Sequence, residues 1–435
     1  MARQIHIQGR ISHAAMLATL SLLFVVTAAY LLAHFVVDRL QHRFFFTTGG
    51  EYLLLGILVG PANPAFAPLN DEVLRQLAPL VSLAIGWMGL LYGSRLDMPK
   101  LAGGNFIAGR IALVEAIVTG GIVATTCSIA LYHLPFDWPD AESYRLAVSV
   151  LAVSAVVASP AALNLVKNHL SAKGQFTELL DRVLRFNELI AIVAFGAILC
   201  IFHRENPALG GRPTEVEWFM LSLVLGGALG VLFFLFIGDE HDEDNQFLAL
   251  VGIIVFASGL AHSLELSPLL VNLILGVSLV SLADDQLSDE IRRTLNRTAR
   301  PMYIVLLIFA GAMAPIGGMT PWLLAIVYVA SRVVAKIVGG WVASLGLGHR
   351  TRWDQGRGLL GHGEIAVAMA LNLMLVFPGE LAQLVSVAIL SSVLANEIWS
   401  ARLLKSLLID AGDIRHSDSP PPSPPGPVPL KSEGV

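Results

Sequence analysis

The sequence predicts an all-α polytopic membrane protein of about 13 transmembrane helices, built as inverted repeats with two unwound helices. Three observations predict it. Of 435 residues, 55% are hydrophobic and only 14% are charged, whereas a soluble chain of this length carries roughly 25% charge. The mean hydropathy is +0.69, and apolar runs long enough to cross a ~30 Å hydrocarbon layer recur along most of the chain. Two of these runs are interrupted by Pro, Gly or ionisable residues at matching places in two similar halves. Non-helical backbone at membrane depth persists only where protein or a cavity surrounds it.

The expected spans are 14–37, 52–66, 77–95, 106–132, 146–166, 180–203, 216–237, 246–264, 267–283, 301–317, 321–347, 356–377 and 382–409. The first is too long for a signal-peptide core and lacks a small-residue cleavage site, so it reads as a mature helix. The second and ninth are short, and they share Gly56-Ile57-Leu58-Val59-Gly60 and Ile274-Leu275-Gly276-Val277 as similar stretches. The third ends in Gly89-Leu90-Leu91-Tyr92-Gly93, and the tenth carries Leu307-Ile308-Phe309-Ala310-Gly311. Six spans, a linker span and six more give the halves opposite topology, which is the sequence mark of a transporter.

Basic residues such as Arg43, Arg95, Lys100, Lys167, Arg182, Arg292, Arg293 and Arg352 fall in alternate loops. That bias puts the N-terminus outside and the C-terminus in the cytosol of a cell (inner) membrane. One inner loop, 239–244, is acidic instead and reads as a solvated linker or a cation-attracting patch. Residues 1–411 form the expected transporter, and 412–435, with Pro420-Pro421-Pro422, a disordered cytosolic tail. Cys127 and Cys200 lie in apolar runs with neither disulfide nor metal-ligand spacing. No glycine-rich phosphate loop follows a strand, so neither a cofactor nor a nucleic-acid partner is expected.

The chemistry concentrates in a few intramembrane polar residues. Phe186-Asn187-Glu188 opens the apolar run from Leu189 to Phe202. A charge in hydrocarbon is costly, which makes Glu188 a functional candidate by default. A carboxylate holds a proton or a metal cation but not readily both, and that competition is the minimum chemistry of a cation/proton exchanger. The fifth span is broken at Ala158-Ser159-Pro160, where proline removes a donor and opens the helix. Freed carbonyls there, of Ala158 and Val156, are candidate cation ligands. The twelfth carries Gly361-His362-Gly363-Glu364. A kink plus a glycine packing seam is the alternative reading of these breaks. Glu115 is surrounded by apolar residues, and Arg332 and Lys336 lie four apart on one helix face, so Glu115 and Glu188 are their candidate partners. His362 is a candidate pH modulator or a packed histidine. Glu397, beside Asn396, echoes Asn187-Glu188 and reads as a repeat relic.

Together these residues, from about Glu51 to Arg402, resemble the monovalent cation/proton antiporter superfamily of sodium/proton exchanger type. Phe186-Asn187-Glu188 is similar to the Asn-Asp pair of that family's ion-binding helix. Ser159-Pro160 and Gly361 to Glu364 fall where its two unwound helices cross. The resemblance implies a homodimer and exchange of sodium or potassium, with lithium open, for protons. It implies elevator motion of a core domain (about 77–203 and 301–409) against dimer-domain helices (about 14–66 and 216–283). An Asn before the acid goes with electroneutral branches, which pair a glutamate with an arginine, here Glu115 and Arg332. Lys336 is instead similar to a lysine of the electrogenic branch that pairs with the ion-binding acid. Three positions depart from the pattern: Glu188 replaces Asp, Ser159 replaces an acid, and Leu184 replaces a coordinating Ser. The rival readings are a sodium-coupled organic-anion carrier on a similar scaffold, an intramembrane enzyme and a transport-dead sensor, against which the intact charge set argues. The chain lacks the His-Glu-x-x-His and Gly-x-Ser-x-Gly motifs that an enzyme would require.

Overall fold

The computed structural model describes residues 27, 49–63, 69–96, 106–134, 136, 138, 140–203, 213–237, 243–314, 317–347 and 351–414. Nearly all of the expected first span, residues 239–242 of the acidic loop and most of the Pro-rich tail lie outside them. Among the described residues the regular structure is entirely helical. The elements are α1 (Gly50–Val59), α2 (Asp71–Gln76), α3 (Ala78–Arg95), α4 (Phe106–His133), α5 (Ala141–Val156), α6 (Ala161–Leu170) and α7 (Gln175–Ile201). The second half holds α8 (Glu215–Ile237), α9 (Glu243–Ser263), α10 (Pro268–Leu282), α11 (Asp285–Met313) and α12 (Thr320–Ser344). A 3₁₀ turn (Gln355–Leu359), α13 (Glu364–Val376) and α14 (Glu380–Asp410) complete it.

Side-chain caps set several helix starts. The Asp140 carboxylate accepts from the Ser143 N–H at 2.6 Å and opens α5. That bond also holds the exposed Asp140 carboxyl below its ordinary acidity range. Ser267, followed by Pro268 at the first helical position, opens α10. Asp284 accepts from the Leu287 N–H at 2.8 Å and opens α11 well before the expected span at 301. Residues 285–300 were expected as an inner loop because of their arginines. They are helical because Leu287, Ile291 and Leu295 recur every fourth residue and are buried.

The two broken spans are broken as expected. α5 stops at Val156 and α6 begins only at Ala161. The twelfth span is a 3₁₀ turn, then non-helical backbone, then α13 from Glu364. Seven spans among the described residues are long and apolar enough to cross a membrane, one of them the interrupted α5–α6 pair (Ala141–Leu170), with α1, α10 and α13 shorter.

Packing sorts most helices into two groups. α4 packs on α12, and with α5, α6, α7, α13 and α14 it surrounds the breaks. α3 packs chiefly on α10, and α11 on α1. This differs from the expected division, which put spans 77–95 and 301–317 with the core. The reason is steric. The repeat glycines let backbones touch: a Cβ on Gly93 would collide with the Leu273 carbonyl oxygen, and one on Gly311 with that of Leu53. The second span therefore meets the tenth and the third meets the ninth, a pairing that swaps the halves symmetrically. Cys127 and Cys200 are buried and unbridged.

Gly93→Ala should destabilise the detergent-solubilised protein by about 1–3 kcal/mol through overpacking. Gly121→Ala, where a Cβ meets nothing within 4 Å, should leave the melting temperature unchanged. Equal melting of both variants would refute the close-contact role of Gly93.

Candidate functional site

The two breaks meet. The Ser159 N–H donates to the Gly361 carbonyl at 3.0 Å. The contact needs small residues on the α13 side, since a Cβ on Gly363 would lie 2.5 Å from the Ser159 Oγ. The Ser159 Oγ itself accepts from the Ala161 N–H, at the first residue of α6, at 3.2 Å. Unwinding leaves carbonyls that no backbone N–H satisfies, and in hydrocarbon each costs several kcal/mol.

The two cations of α12 satisfy them. Arg332 is fully buried and donates to the carbonyls of Leu360 at 2.9 Å and Val157 at 2.6 Å, and also, at 3.2 Å, to that of Gly361, which the Ser159 N–H already reaches. Lys336, also fully buried, donates to the Val156 carbonyl at 2.7 Å. Its Nζ lies 3.1 Å from Glu115 Oε1. Glu115 accepts further from Thr119 Oγ1 at 2.6 Å and from Asn187 Nδ2 at 2.8 Å.

Three expectations are corrected here. Glu115 pairs with Lys336 and not with Arg332, because Arg332 is spent on carbonyls of the crossing. Lys336 does not pair with Glu188, because Glu115 holds it. Val156 is not a free cation ligand, because its carbonyl faces Lys336. Asn187 turns toward Glu115 rather than into a shared site with Glu188, which follows from their 100° offset on one helix. Ala158 is buried at the crossing.

Glu188 stands apart from this network. It is 4% exposed, and its Oε1 has no hydrogen-bond partner. Arg185, a candidate partner one turn earlier, bonds Asp181 at 3.1 Å instead. Glu188 lines a cavity of about 280 Å³ with Tyr92, Arg95, Pro160, Asn164 and Asn296. Ser159, Gly361, His362, Gly363 and Glu364 line a second cavity of about 380 Å³ instead. Arg95 and Asn296 border both. The breaks thus lie between two cavities, with Pro160 on the Glu188 side and Ser159 on the other.

His362 is the packed histidine of the two readings. Its Nε2 faces the Ser154 carbonyl at 3.0 Å and its Nδ1 faces Ser392 Oγ at 3.1 Å. A carbonyl only accepts, so the geometry assigns the proton to Nε2. Glu364 opens α13, where a carboxylate complements the positive helix end, and it accepts from the Tyr92 hydroxyl at 2.5 Å. Glu397 accepts from the Gly50 N–H at 3.0 Å, and so ties α14 to α1. Tyr92 and Arg95 escaped the sequence reading as site residues. Their only signal was a tyrosine and an arginine three apart at the end of an apolar span.

Lys336→Leu should destabilise the protein by about 3–5 kcal/mol, because it strands a buried carboxylate. Glu115→Leu added to it should recover much of that loss in a thermal melt. A double variant no more stable than the single one would refute the pairing.

No curated protein matches the chain. The fold is similar to that of the sodium proton antiporter MjNhaP1 from Methanocaldococcus jannaschii at pH 8, with a TM-score of 0.66 at 16% identity, covering 91% of this chain and 99% of that one. An electron-microscopy structure of the same antiporter gives a TM-score of 0.62 at 16% identity, covering 88% and 97%. At that identity the likeness is one of fold. A family model described as the transmembrane sodium/hydrogen exchanger matches residues 51–405, so the chain is a multi-pass membrane protein belonging to the sodium/hydrogen exchanger family.

Proposed function

We propose that the protein exchanges a monovalent cation for a proton, with Glu188 as the group that carries one or the other. The observation behind this is the contrast among the buried charges. Arg332, Lys336 and Glu115 are committed to carbonyls and to each other. Glu188 alone lines a cavity with an unsatisfied carboxylate oxygen and no ion pair among the described residues. An uncompensated carboxylate crosses hydrocarbon at high cost. Its body therefore moves only when a proton or a cation neutralises it, which enforces exchange and prevents leak. One carboxylate with no resident lysine implies one proton per cation, an electroneutral cycle.

The helices around the breaks, α4–α7 and α12–α14, form the moving body. α1, α3, α10 and α11 form the fixed one, and alternating access is an elevator-like shift between them. Glu188 carries one more methylene than the family's aspartate, so the selected cation is open among sodium, potassium and lithium. The basic loops orient the C-terminus to the cytosol of the cell membrane. Exposed apolar side chains on α8 and α9, Phe236 and Phe256 among them, offer a face to lipid or to the second protomer of a homodimer.

The test is reconstitution in liposomes with an internal pH dye, adding sodium, potassium or lithium separately. The expected result is a cation-dependent pH change that Glu188→Gln abolishes while the variant still folds. Its rate should be bell-shaped in pH, since protons displace cations at low pH and become scarce at high pH. Exchange at the wild-type rate in Glu188→Gln would overturn the assignment.

A further inference from the structure

An empty Glu188 needs a counter-charge, and the buried cations of its own body do not supply one. Lys336 is held by Glu115 and the Val156 carbonyl, and Arg332 by three other carbonyls. The Glu188 cavity is lined by two further cationic side chains, Arg95 and Arg185. Arg185 is bonded to Asp181 at 3.1 Å, and its side chain is 42% exposed. Arg95 forms no ion pair among the described residues, yet it is held in place. Its Nη2 donates to Asn296 Oδ1 at 2.7 Å, and its guanidinium carbon lies 5.2 Å from the centre of the Tyr92 ring.

Both holders of Arg95 stand on its own group of helices. Tyr92 is on α3 and Asn296 on α11, and these two pack on each other. Glu188 is on α7, which packs with α4 and α5. Arg95 is therefore preorganised at the Glu188 cavity without belonging to the body that carries Glu188.

We propose that Arg95 is a fixed counter-charge for the empty Glu188 carboxylate, competing with the transported cation on this side of the membrane only. The proposal rests on the exchanger reading above and on the relative motion of the two bodies. When the Glu188 body shifts, α3 stays behind, and the competition ends. Cation affinity is then lower on the Arg95 side, which is cytosolic in the orientation proposed, and release there is favoured. Arg95 acts through Glu188, so it is a positioning residue and not a ligand.

Cation KM is measured from each side, in right-side-out and in everted vesicles. Arg95→Gln should lower the cytosolic KM about tenfold, the scale of one partly screened charge nearby, and leave the external KM unchanged. Arg95→Lys keeps the charge and should stay near wild type on both sides. Equal changes on both sides, or no change on either, would overturn the proposal. Should Arg95→Gln fail to fold, Asn296→Ala frees the guanidinium without removing it. It should lower the cytosolic KM in the same direction, and an unaltered KM counts against the proposal. Glu188→Gln in the same vesicles separates the two readings. Exchange surviving there sinks the Glu188 assignment, whereas Glu188-dependent exchange with a symmetrical Arg95 response sinks only the counter-charge.

Discussion

Everything at the centre of this protein depends on satisfying unwound backbone in a place without water. A break in a membrane helix exposes carbonyls that cost several kcal/mol each when unpaired. Here two breaks cross, and two cations one turn apart on α12 reach the exposed carbonyls of both. Arg332 suits this task because its planar fork addresses several acceptors at once. Arg332 and Lys336 also sit at the carbonyl end of α5, where the helix dipole is negative. The negative charge of Glu115 then answers Lys336, and Asn187 and Thr119 answer Glu115. The result is a closed network that fixes α4, α5, α7, α12 and the break before α13 to one another.

That closure is what isolates Glu188. Asn187 and Glu188 are neighbours in sequence but face different surroundings, one inside the network and one in a cavity. The same helix thus supplies a structural amide and a free carboxylate. A carboxylate left out of a satisfied network is poised for a mobile partner.

The second constraint is the close contact between backbones in the other group of helices. Glycine at the α3–α10 and α1–α11 contacts removes side chains from the interface, so these pairs pack by direct backbone approach. The two groups meet through few polar bonds, notably Tyr92 to Glu364 and Gly50 to Glu397. A body held within by ion pairs and a body held within by glycine contacts can keep their own shapes while the surface between them changes.

The sequence by itself determined the elements and most of the polar cast. Length and hydropathy of the runs gave the spans, Pro160 and the 361–364 stretch located the two breaks, and the cost of charge in hydrocarbon singled out Glu115, Glu188, Arg332 and Lys336. These are local properties, legible from composition and spacing. Only the tertiary structure decided the pairings. Two acids and two bases admit several matches, and the choice turned on which carbonyls the breaks left open, something no spacing along one chain encodes. Packing also decided that Ser159 and Glu188 face different cavities, and that Arg95, in sequence one more basic residue at a helix end, lines the cavity of Glu188. Long-range packing put it there, of α3 on α11 and, through glycine contacts whose partners lie about 180 residues away, of α3 on α10.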